Sequence, residues 1–412
     1  GGEVRPVPGI LPMCLALARR GVTRVVVPAE ALGEARLAGG VEAVPAATVA
    51  EAAELVRSVR TRRLVPRPLP RATGRADVPR GEVATALPVA GGVVDLADVR
   101  GQAVARRALE IALAGGHAML LIGPPGAGKT LLARTIPGLL PDLDDEAALA
   151  ATVVASVASG SPVVELVRRP PVRTPHHTTS YAGMVGGGPR LSPGEVTLAD
   201  QGVLFCDELP EFGRDVLEAL RQPLEDGSVS VVRVGRAEQF PARFTFLAAM
   251  NPCPCGQFGS GDRSCTCPPG VPERYLRRVS GPLRDRIDLW VAVDRVPPAV
   301  IVSGPVPESS RAVARRIAEA RRRQAARNAR LPNARVAGRA LREACRLAPA
   351  AVSRAVLLAE REGLSGRGTD RLLRVARTIA DLAGAEAVDV SHLDEAARFR
   401  APVDRMALGR AG

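Results

Sequence analysis

The sequence predicts an α/β protein with a parallel sheet, followed by a wholly helical C-terminal region. Short apolar segments predict buried strands at residues 118–122, 203–206 and 244–249, and helix-forming segments separate them. Strands that alternate with helices are typical of parallel sheets. After Pro297–Pro298 the apolar spacing becomes that of helices alone, and it predicts helices at 311–328, 338–347, 349–362, 368–382 and 391–398.

The pattern divides the chain into four parts. Residues 1–64 read as α+β, with a helix at 9–20, a strand at 24–28 and a helix at 49–60, and residues 65–92 are rich in Pro, Arg and Gly, which predicts a linker. Residues 93–298 contain the predicted sheet, and residues 299–412 form the helical region. The chain starts at Gly1 in mid-pattern rather than at Met, so we expect a fragment that lacks its natural start.

Charge is distributed unevenly along the 412 residues, which carry a formal net charge of +13. Residues 299–412 contain 22 arginines against 12 acidic residues. This excess fits a polyanion such as DNA, and a solvated arginine-rich surface explains it equally well. Lys129 is the single lysine among 56 basic residues, which indicates a coding bias.

Composition excludes several classes of protein. Arg or Gly interrupts each apolar run before it reaches the roughly 18 residues of a membrane helix, and no signal peptide is recognisable. We therefore expect a cytoplasmic protein with no membrane partner. Aromatic residues make up 2% of the chain, so few platforms for stacking single-stranded bases are available.

The segment GPPGAGKT matches the P-loop motif between a predicted strand and a predicted helix. In such a loop, backbone N–H groups surround the phosphates of ATP. We expect Lys129 to contact the β- and γ-phosphates and the Thr130 hydroxyl to bind Mg²⁺. The predicted cofactor-binding residues of the loop are Gly123, Pro124, Pro125, Gly126, Ala127, Gly128, Lys129 and Thr130.

Two further predicted strands end in polar side chains. Asp207 and Glu208 follow the strand 203–206; we expect Asp207 to hold Mg²⁺ through water and Glu208 to polarise the attacking water. The other interpretation is a surface acidic pair. Asn251 follows the next strand and is placed to orient water and sense the γ-phosphate. The 77 residues from Thr130 to Asp207 are too many for one helix and one strand, which predicts an insertion.

Two arginines are candidates for transition-state stabilisation. Arg286 lies in SGPLRDRIDL between acidic residues, where an arginine is ordinarily a surface ion pair. In a ring-shaped ATPase it is the natural arginine finger, which reaches the nucleotide of the neighbouring subunit. Arg367, near the start of a C-terminal helix, is a candidate lid arginine over the phosphates, and a solvated arginine is the alternative.

Cys253, Cys255, Cys265 and Cys267 lie within 15 positions among Pro and Gly. Four thiolates can close a tetrahedral Zn²⁺ site, although the CxC spacing is tighter than the usual CxxC; reduced structural thiols or a redox role are the alternatives. The pair His176–His177 could sense the nucleotide, contact DNA or form a polar loop, and we do not predict a metal site there. Isolated thiols at Cys14, Cys206 and Cys345 predict buried apolar positions.

Longer strings resemble AAA+ ATPases of the Mg-chelatase-like group, and more closely their ComM/YifB subfamily. The strings are RTPHHTTS at 173–180, LFCDELPEF at 204–212, MNPCPCG at 250–256 and RVARTIADL at 374–382. The resemblance implies a homohexameric ring with ATP sites between subunits, an inserted helix–hairpin region facing the pore, and a helical lid. The alternating segment 228–240 suits such a hairpin. Its Arg233 and Arg236 are candidate DNA contacts, or they simply solubilise the hairpin.

Members of the ComM type are similar to DNA motors that drive branch migration during natural transformation. The resemblance therefore implies an ATP-driven translocase or helicase on branched or single-stranded DNA. Arg284 departs from the family, which usually has an apolar residue there. The alternative is a chelatase-like subunit that uses ATP to remodel a protein partner.

Residues 2–28 resemble the later half of a Lon-protease-like, S5-like domain. Active members have a catalytic lysine near the position of Leu11, whereas residues 1–92 contain no lysine. A peptidase is therefore disfavoured.

Overall fold

The computed structural model describes residues 2–60, 93–188, 191–233, 236–259 and 264–400. The predicted linker at 65–92 lies outside these residues. Within the described ranges, no helix has both the length and the apolar character that crossing a membrane requires.

Short strands and helices alternate along most of the described residues, and helices alone follow the last strand. The strands are β1 Arg24–Pro28, β2 Glu42–Ala46, β3 Met119–Ile122, β4 Val172–Arg173, β5 Gly186–Gly187, β6 Ser192–Pro193, β7 Val203–Cys206, β8 Ser228–Arg233, β9 Arg236–Pro241, β10 Thr245–Met250 and β11 Leu289–Ala292. The helices are α1 Ile10–Arg19, α2 Leu32–Arg36, α3 Val49–Arg60, α4 Ala103–Gly115, α5 Lys129–Ala133, α6 Ile136–Leu139, α7 Asp145–Ala158, α8 Tyr181–Val185, α9 Glu195–Leu198, α10 Arg214–Ala219, α11 Arg221–Asp226, α12 Val271–Leu276, α13 Gly281–Arg284, α14 Pro298–Ser303, α15 Ser310–Arg327, α16 Gly338–Cys345, α17 Pro349–Arg361, α18 Gly366–Leu382 and α19 Val390–Arg398.

A five-stranded parallel sheet lies at the centre of the chain, in the order β11-β3-β10-β7-β4. The predicted strands β3, β7 and β10 are present to within a residue. These three strands are short and fully buried, and Leu247 of β10 lies opposite both Met119 of β3 and Phe205 of β7. Because the strands are parallel, their carboxyl ends meet at one edge of the sheet. Strand β10 lies between β3 and β7, so its carboxyl end lies between theirs.

Alternating side chains of β3 enter two separate cores on the two faces of the sheet. Met119 and Leu121 pack in the core that contains α4 and the C-terminal helices. Leu120 and Ile122 pack in the other core, with Met184 of α8. This alternation follows from the two-residue repeat of a strand, and it explains why a strand covered on both faces is apolar throughout.

The N-terminal residues 2–60 form a small α+β unit in which β1 and β2 pair in parallel. The predicted elements at 9–20, 24–28 and 49–60 are confirmed to within a residue at each end. The core of this unit is small and consists of Ile10, Cys14, Val27, Ala31 and Ala35.

Glu34 attaches this unit to the segment around α7. Its buried carboxylate accepts the Leu11 N–H at 3.0 Å within the unit and the Val163 N–H at 3.2 Å outside it. The Ser156 hydroxyl of α7 donates to the same carboxylate. A buried carboxylate with several donors is stabilised rather than orphaned, so Glu34 joins the two parts of the chain.

The interval between Thr130 and Asp207 contains more than one helix and one strand, as predicted. It holds α6, α7, β4, α8, the short β5–β6 hairpin and α9. A second hairpin, β8–β9, confirms the alternating pattern predicted at 228–240. Arg233 and Arg236 are backbone partners at its tip, and their side chains lie outside the described part of the structure.

The predicted C-terminal helices are confirmed as α15–α19, with boundaries shifted by two residues or less. The sequence did not predict α14. Helices α15 and α18 pack against α4, so the core below the sheet continues into the helical region; its members there include Leu109, Ile111, Val313, Ile317, Val375 and Ile379.

A charged network is buried within this helical region. Arg377 is fully buried and donates to Asp381 Oδ1 at 3.0 Å and to the Ala385 carbonyl at 2.6 Å. Asp381 also accepts two bonds from Arg327, at 2.7 and 2.8 Å, and one from Asn333 Nδ2 at 2.8 Å. Burial lowers the pKa of Arg377 and the Asp381 carboxylate opposes that shift. The Arg377 guanidinium and the Asp381 carboxylate thus face each other as an ion pair inside the helical region.

Candidate nucleotide-binding site

The P-loop connects the end of β3 to the start of α5. Gly128 precedes α5 with a φ of +91°, in the left-handed region that favours glycine. Gly123 is required for a different reason. A Cβ there would lie 2.0 Å from the carbonyl oxygen of Val293, just after β11, so the P-loop passes too close to this backbone for a side chain to fit. The loop and the amino end of α5 therefore present backbone N–H groups to the carboxyl edge of the sheet.

Lys129 is nearly buried and lies back across the loop. Its Nζ donates to the carbonyls of Gly123 at 2.7 Å and Pro124 at 3.0 Å, and to Asn251 Oδ1 at 3.1 Å. Burial lowers the pKa of Lys129, and the nearby carboxylates of Asp207 and Glu208 oppose that shift. The ammonium is thus a fixed positive charge, held by neutral oxygens at the position where phosphates meet a P-loop.

Asp207 and Glu208 leave the end of β7 beside Thr130. The Thr130 hydroxyl donates to Asp207 Oδ2 at 2.7 Å, and the Glu208 N–H donates to Asp207 Oδ1 at 2.9 Å. Glu208 has a φ of +51°, which is uncommon for a residue with a side chain. Thr130 and Asp207 supply hard oxygen ligands of the kind that Mg²⁺ prefers, so the residues fit a magnesium ion bound together with phosphates.

A cavity of about 320 Å³ joins these groups. Its lining comprises Pro125, Gly126, Ala127, Gly128, Lys129, Thr130, Leu131, Asp207, Glu208, Met250 and Asn251. The structure therefore brings together the P-loop, the two carboxylates and the amide that the sequence singled out.

His177 is a neighbour of this site whose contact the sequence left open. Its Nδ1 lies 3.2 Å from Glu208 Oε2, and its ring lies against that of His176 with centroids 4.1 Å apart. The loop that carries His177 follows β4, which is paired with β7 in the sheet. The contact of His177 with Glu208 could therefore have been predicted only from the order of the strands in the sheet, because that order places the ends of β4 and β7 side by side.

Arg286 and Arg367 are absent from the lining of the cavity. Arg286 forms an ion pair with Glu225 of α11 and donates to the Pro282 carbonyl at 2.8 Å. Arg367 is exposed at the start of α18, and together with Arg286 it lowers the pKa of Glu225. Arg367 thus lies close enough to Glu225 to act on its pKa, and it is not among the residues that line the cavity.

Two family descriptions match the parallel sheet and the helical region of this chain. Residues 95–301 match magnesium chelatase, subunit ChlI, and residues 307–400 match its C-terminal domain. The chain belongs to this Mg-chelatase-like family. The parallel sheet, the P-loop and the helical C-terminal region are consistent with an AAA+ fold.

Relatives place this family member in the ComM/YifB subfamily. It is 42% identical over 406 residues to the uncharacterized protein Rv2897c of Mycobacterium tuberculosis, covering 97% of this chain and 76% of that protein. It is 45% identical over 313 residues to the uncharacterized protein YifB of Escherichia coli, covering 76% and 61%. It is 42% identical over 311 residues to the competence protein ComM of Haemophilus influenzae, covering 75% and 60%.

This Mg-chelatase-like chain also carries a group of residues that could hold a second metal. The thiols of Cys253, Cys255, Cys265 and Cys267 lie within 4.8 Å of one another. They are free rather than joined as disulfides. Cys253 and Cys255 lie on the turn that follows Asn251, next to the nucleotide site, and Cys265 and Cys267 lie on the later segment 264–267.

Proposed function

We propose that this chain hydrolyses ATP with Mg²⁺ and uses the energy to move DNA, as a homohexameric translocase of the branch-migration type. One observation carries the ATPase part of the proposal. Lys129 and Thr130 of the P-loop, together with Asp207, Glu208 and Asn251 at the ends of two parallel strands, surround a single cavity.

Each residue of the cavity has a distinct task in this proposal. Lys129 binds the phosphate oxygens and offsets the negative charge that develops on them. Thr130 and Asp207 hold Mg²⁺, which when bound neutralises phosphate charge. Glu208 polarises the attacking water and accepts its proton, and the Asn251 amide orients that water. Since the Asn251 amide already contacts Lys129, phosphate binding and water positioning are linked.

The arginines favour an assembly in which the site is completed by a neighbour. Arg286 is paired with Glu225, and neither Arg286 nor Arg367 lines the cavity of its own subunit. In a closed ring, such a surface can face the nucleotide of the next subunit. We propose that Arg286 is the finger that stabilises transition-state charge there, with Arg367 beside it.

A mixing experiment tests this ring. Glu208→Gln leaves Arg286 intact but lacks the base, and Arg286→Ala leaves the base intact but lacks the finger. Each variant alone is expected to be inactive, and a mixture of the two is expected to recover hydrolysis, because some interfaces then combine an intact base with an intact finger. A mixture that stays inactive, although both variants assemble with wild type, would contradict action between subunits.

DNA is proposed as the substrate for two reasons. One relative is named a competence protein. The helical region also exposes many arginines, among them Arg311, Arg315 and Arg342, which suit the phosphate backbone of DNA.

The decisive measurement is ATP hydrolysis with and without four-way or forked DNA. We expect stimulation by DNA in the wild type, loss of hydrolysis in Glu208→Gln, and strand exchange on branched substrates. Hydrolysis by the assembled protein that is indifferent to every DNA tested would overturn the DNA part while leaving the ATPase part standing. That result, together with binding to a tetrapyrrole-handling protein, would favour the chelatase-like alternative, which the family description supports.

We further propose that the metal of the cysteine cluster is Zn²⁺. Four thiolates are soft ligands that select zinc over the hard cation at the phosphate site. Free thiols and a dependence on ATP also fit a reducing cytoplasm, where we place the protein.

A further inference from the structure

The geometry of the four thiols matches one specific coordination. Cys253 Sγ lies 3.4 Å from Cys255 Sγ and 3.7 Å from Cys265 Sγ, and the Cys255 and Cys265 sulfurs are 3.5 Å apart. Thiolates about 2.3 Å from Zn²⁺ in a tetrahedron lie about 3.8 Å from one another. A disulfide would need about 2.05 Å. The spacing of these three sulfurs fits a tetrahedral site, and the Cys267 sulfur lies within 4.8 Å of them.

The protein surrounds this cluster as a built site. Cys253 is fully buried, and the other three thiols are half-buried. The Phe258 N–H donates to Cys253 Sγ at 3.4 Å, and the Gly256 N–H donates to the Cys253 carbonyl at 2.9 Å. These bonds close a turn around the first two sulfurs. Such surrounding hydrogen bonds orient metal ligands.

The same turn touches the nucleotide site on its other side. Gly256 has a φ of +77°, and a Cβ there would lie 2.4 Å from Pro125 Cδ of the P-loop and 3.8 Å from Asn251 Cγ. Asn251, at the start of this turn, is bound to Lys129. The thiol cluster and the phosphate site therefore share one short segment, residues 251–256.

We propose that Zn²⁺ bound by Cys253, Cys255, Cys265 and Cys267 fastens the turn 251–256 against the P-loop, and that this contact holds Pro125 and Asn251 in place for the nucleotide. The inference rests on the proposed nucleotide site and adds a second ion to it. The cluster ties the turn to the segment 264–267, so the loop that follows β10 is closed by metal. Loss of the metal frees the turn, and the energy of ordering it must then come from nucleotide binding.

Two variants separate the metal from its contact with the P-loop. Cys265→Ser/Cys267→Ser removes the two ligands that lie outside the turn 251–256. Gly256→Ala keeps all four thiols but introduces a Cβ where Pro125 leaves no room, at a backbone conformation unsuited to alanine. Cys345→Ala is the matched control for zinc content and nucleotide affinity, because this buried thiol lies outside the cluster and alanine leaves no unpaired polar group in the core.

The full chain is assayed for zinc by mass spectrometry, for binding of a fluorescent ATP analogue with Mg²⁺, and for thermal unfolding. We expect one zinc per wild-type chain. In the double variant, we expect the zinc to be lost. We also expect the affinity for the ATP analogue to weaken by about tenfold, the scale expected when a metal site loses its support. In Gly256→Ala, we expect zinc to be retained and affinity to fall. The control should match the wild type in zinc content and nucleotide affinity.

Other outcomes overturn the proposal in distinguishable ways. Wild-type protein that is purified under reducing conditions and takes up no added zinc would remove the metal site. Zinc lost from a folded double variant with unchanged nucleotide affinity would remove the fastening role. If the double variant does not fold, chelation of zinc from wild type and the Gly256→Ala result decide the point. Wild type that holds zinc but binds no nucleotide would contradict the proposed ATPase instead.

Discussion

The P-loop site and the helical region hold their buried cations in different ways. Lys129 makes its direct bonds to neutral carbonyl and amide oxygens. Arg377 is bound to the Asp381 carboxylate, which also holds Arg327. A cation among neutral acceptors keeps its charge for a ligand, whereas a cation paired with a carboxylate is neutralised within the chain.

This difference shows how little net charge says about a binding surface. Part of the arginine excess of residues 299–412 is used internally, since Arg316 is bound to both Glu110 and Glu308, and Arg321 donates to the Leu113 carbonyl. The arginines that can meet a polyanion are the exposed ones.

The largest expected effect is on stability, when the carboxylate of the helical region is removed. Asp381→Ala leaves Arg377 buried without its counter-ion and also frees Arg327. Breaking a buried pair in this way costs about 3–5 kcal/mol, so the free energy of unfolding in urea should fall by that amount. The exposed pair of Arg339 and Glu343 is the matched control; Glu343→Ala should change stability by less than about 0.5 kcal/mol. Equal losses of stability in Asp381→Ala and Glu343→Ala would show that the buried pair contributes no more to stability than the exposed one.

The next effect concerns the kind of cation at the P-loop. Lys129→Arg keeps the charge but replaces a compact ammonium with a larger planar group, where three oxygens lie within 3.1 Å of Nζ. We expect ATP hydrolysis to fall by about 10²–10³-fold, the scale of losing an electrostatic stabiliser. Steady-state hydrolysis measures it, and Arg330→Lys, at an exposed ion pair, serves as the control. Near-normal activity of Lys129→Arg would show that the site needs only a charge.

A smaller effect is expected from the histidine beside the carboxylates. Because His177 Nδ1 contacts Glu208 Oε2, His177→Ala should leave Glu208 less well oriented and lower kcat by about tenfold, the scale for groups that support a reacting residue. KM for ATP should stay nearly constant, and His177→Asn should recover part of the loss. His176→Ala, which removes the ring that lies against His177 but not the contact with Glu208, should lower kcat less than His177→Ala does. A change confined to KM would assign His177 to nucleotide binding instead.

The smallest effect separates exposed from internal arginines. Arg311→Ala/Arg315→Ala should weaken DNA binding modestly and reduce the slope of log affinity against log salt by about 0.9 for each phosphate that is no longer neutralised. Fluorescence anisotropy over a salt series measures this slope. Arg19→Ala/Arg20→Ala, exposed in the N-terminal unit, removes the same charge elsewhere. Identical slopes for both pairs would show that only overall charge matters.

The sheet and the residues of the nucleotide cavity were predictable because local signals determine them. The P-loop motif places Lys129 and Thr130 after a strand, and a buried strand that ends in two carboxylates places Asp207 and Glu208. Parallel strands bring these ends together whatever the intervening chain does. The length of the insertion before Asp207 could be predicted in the same way, though not its path.

Contacts between distant segments were not predictable from local pattern. The contact of His177 with Glu208 depends on the pairing of β4 with β7. The close approach of Gly256 to Pro125 depends on how near the turn after β10 lies to the P-loop. Nothing in the sequence around Arg377 distinguishes it from an exposed arginine of a helix. Its burial becomes evident only when the helices are packed together. Packing decides such positions, and packing is a property of the whole chain.

The shared core of α4, α15 and α18 has a mechanical consequence. Because α4 also covers the sheet that carries the P-loop, a force applied to the helical region reaches that sheet through close-packed side chains rather than through a flexible joint. A body of this kind is stiff and transmits small displacements with little loss. In the ring that we propose, the compliant elements that absorb each nucleotide step would be the boundaries between subunits.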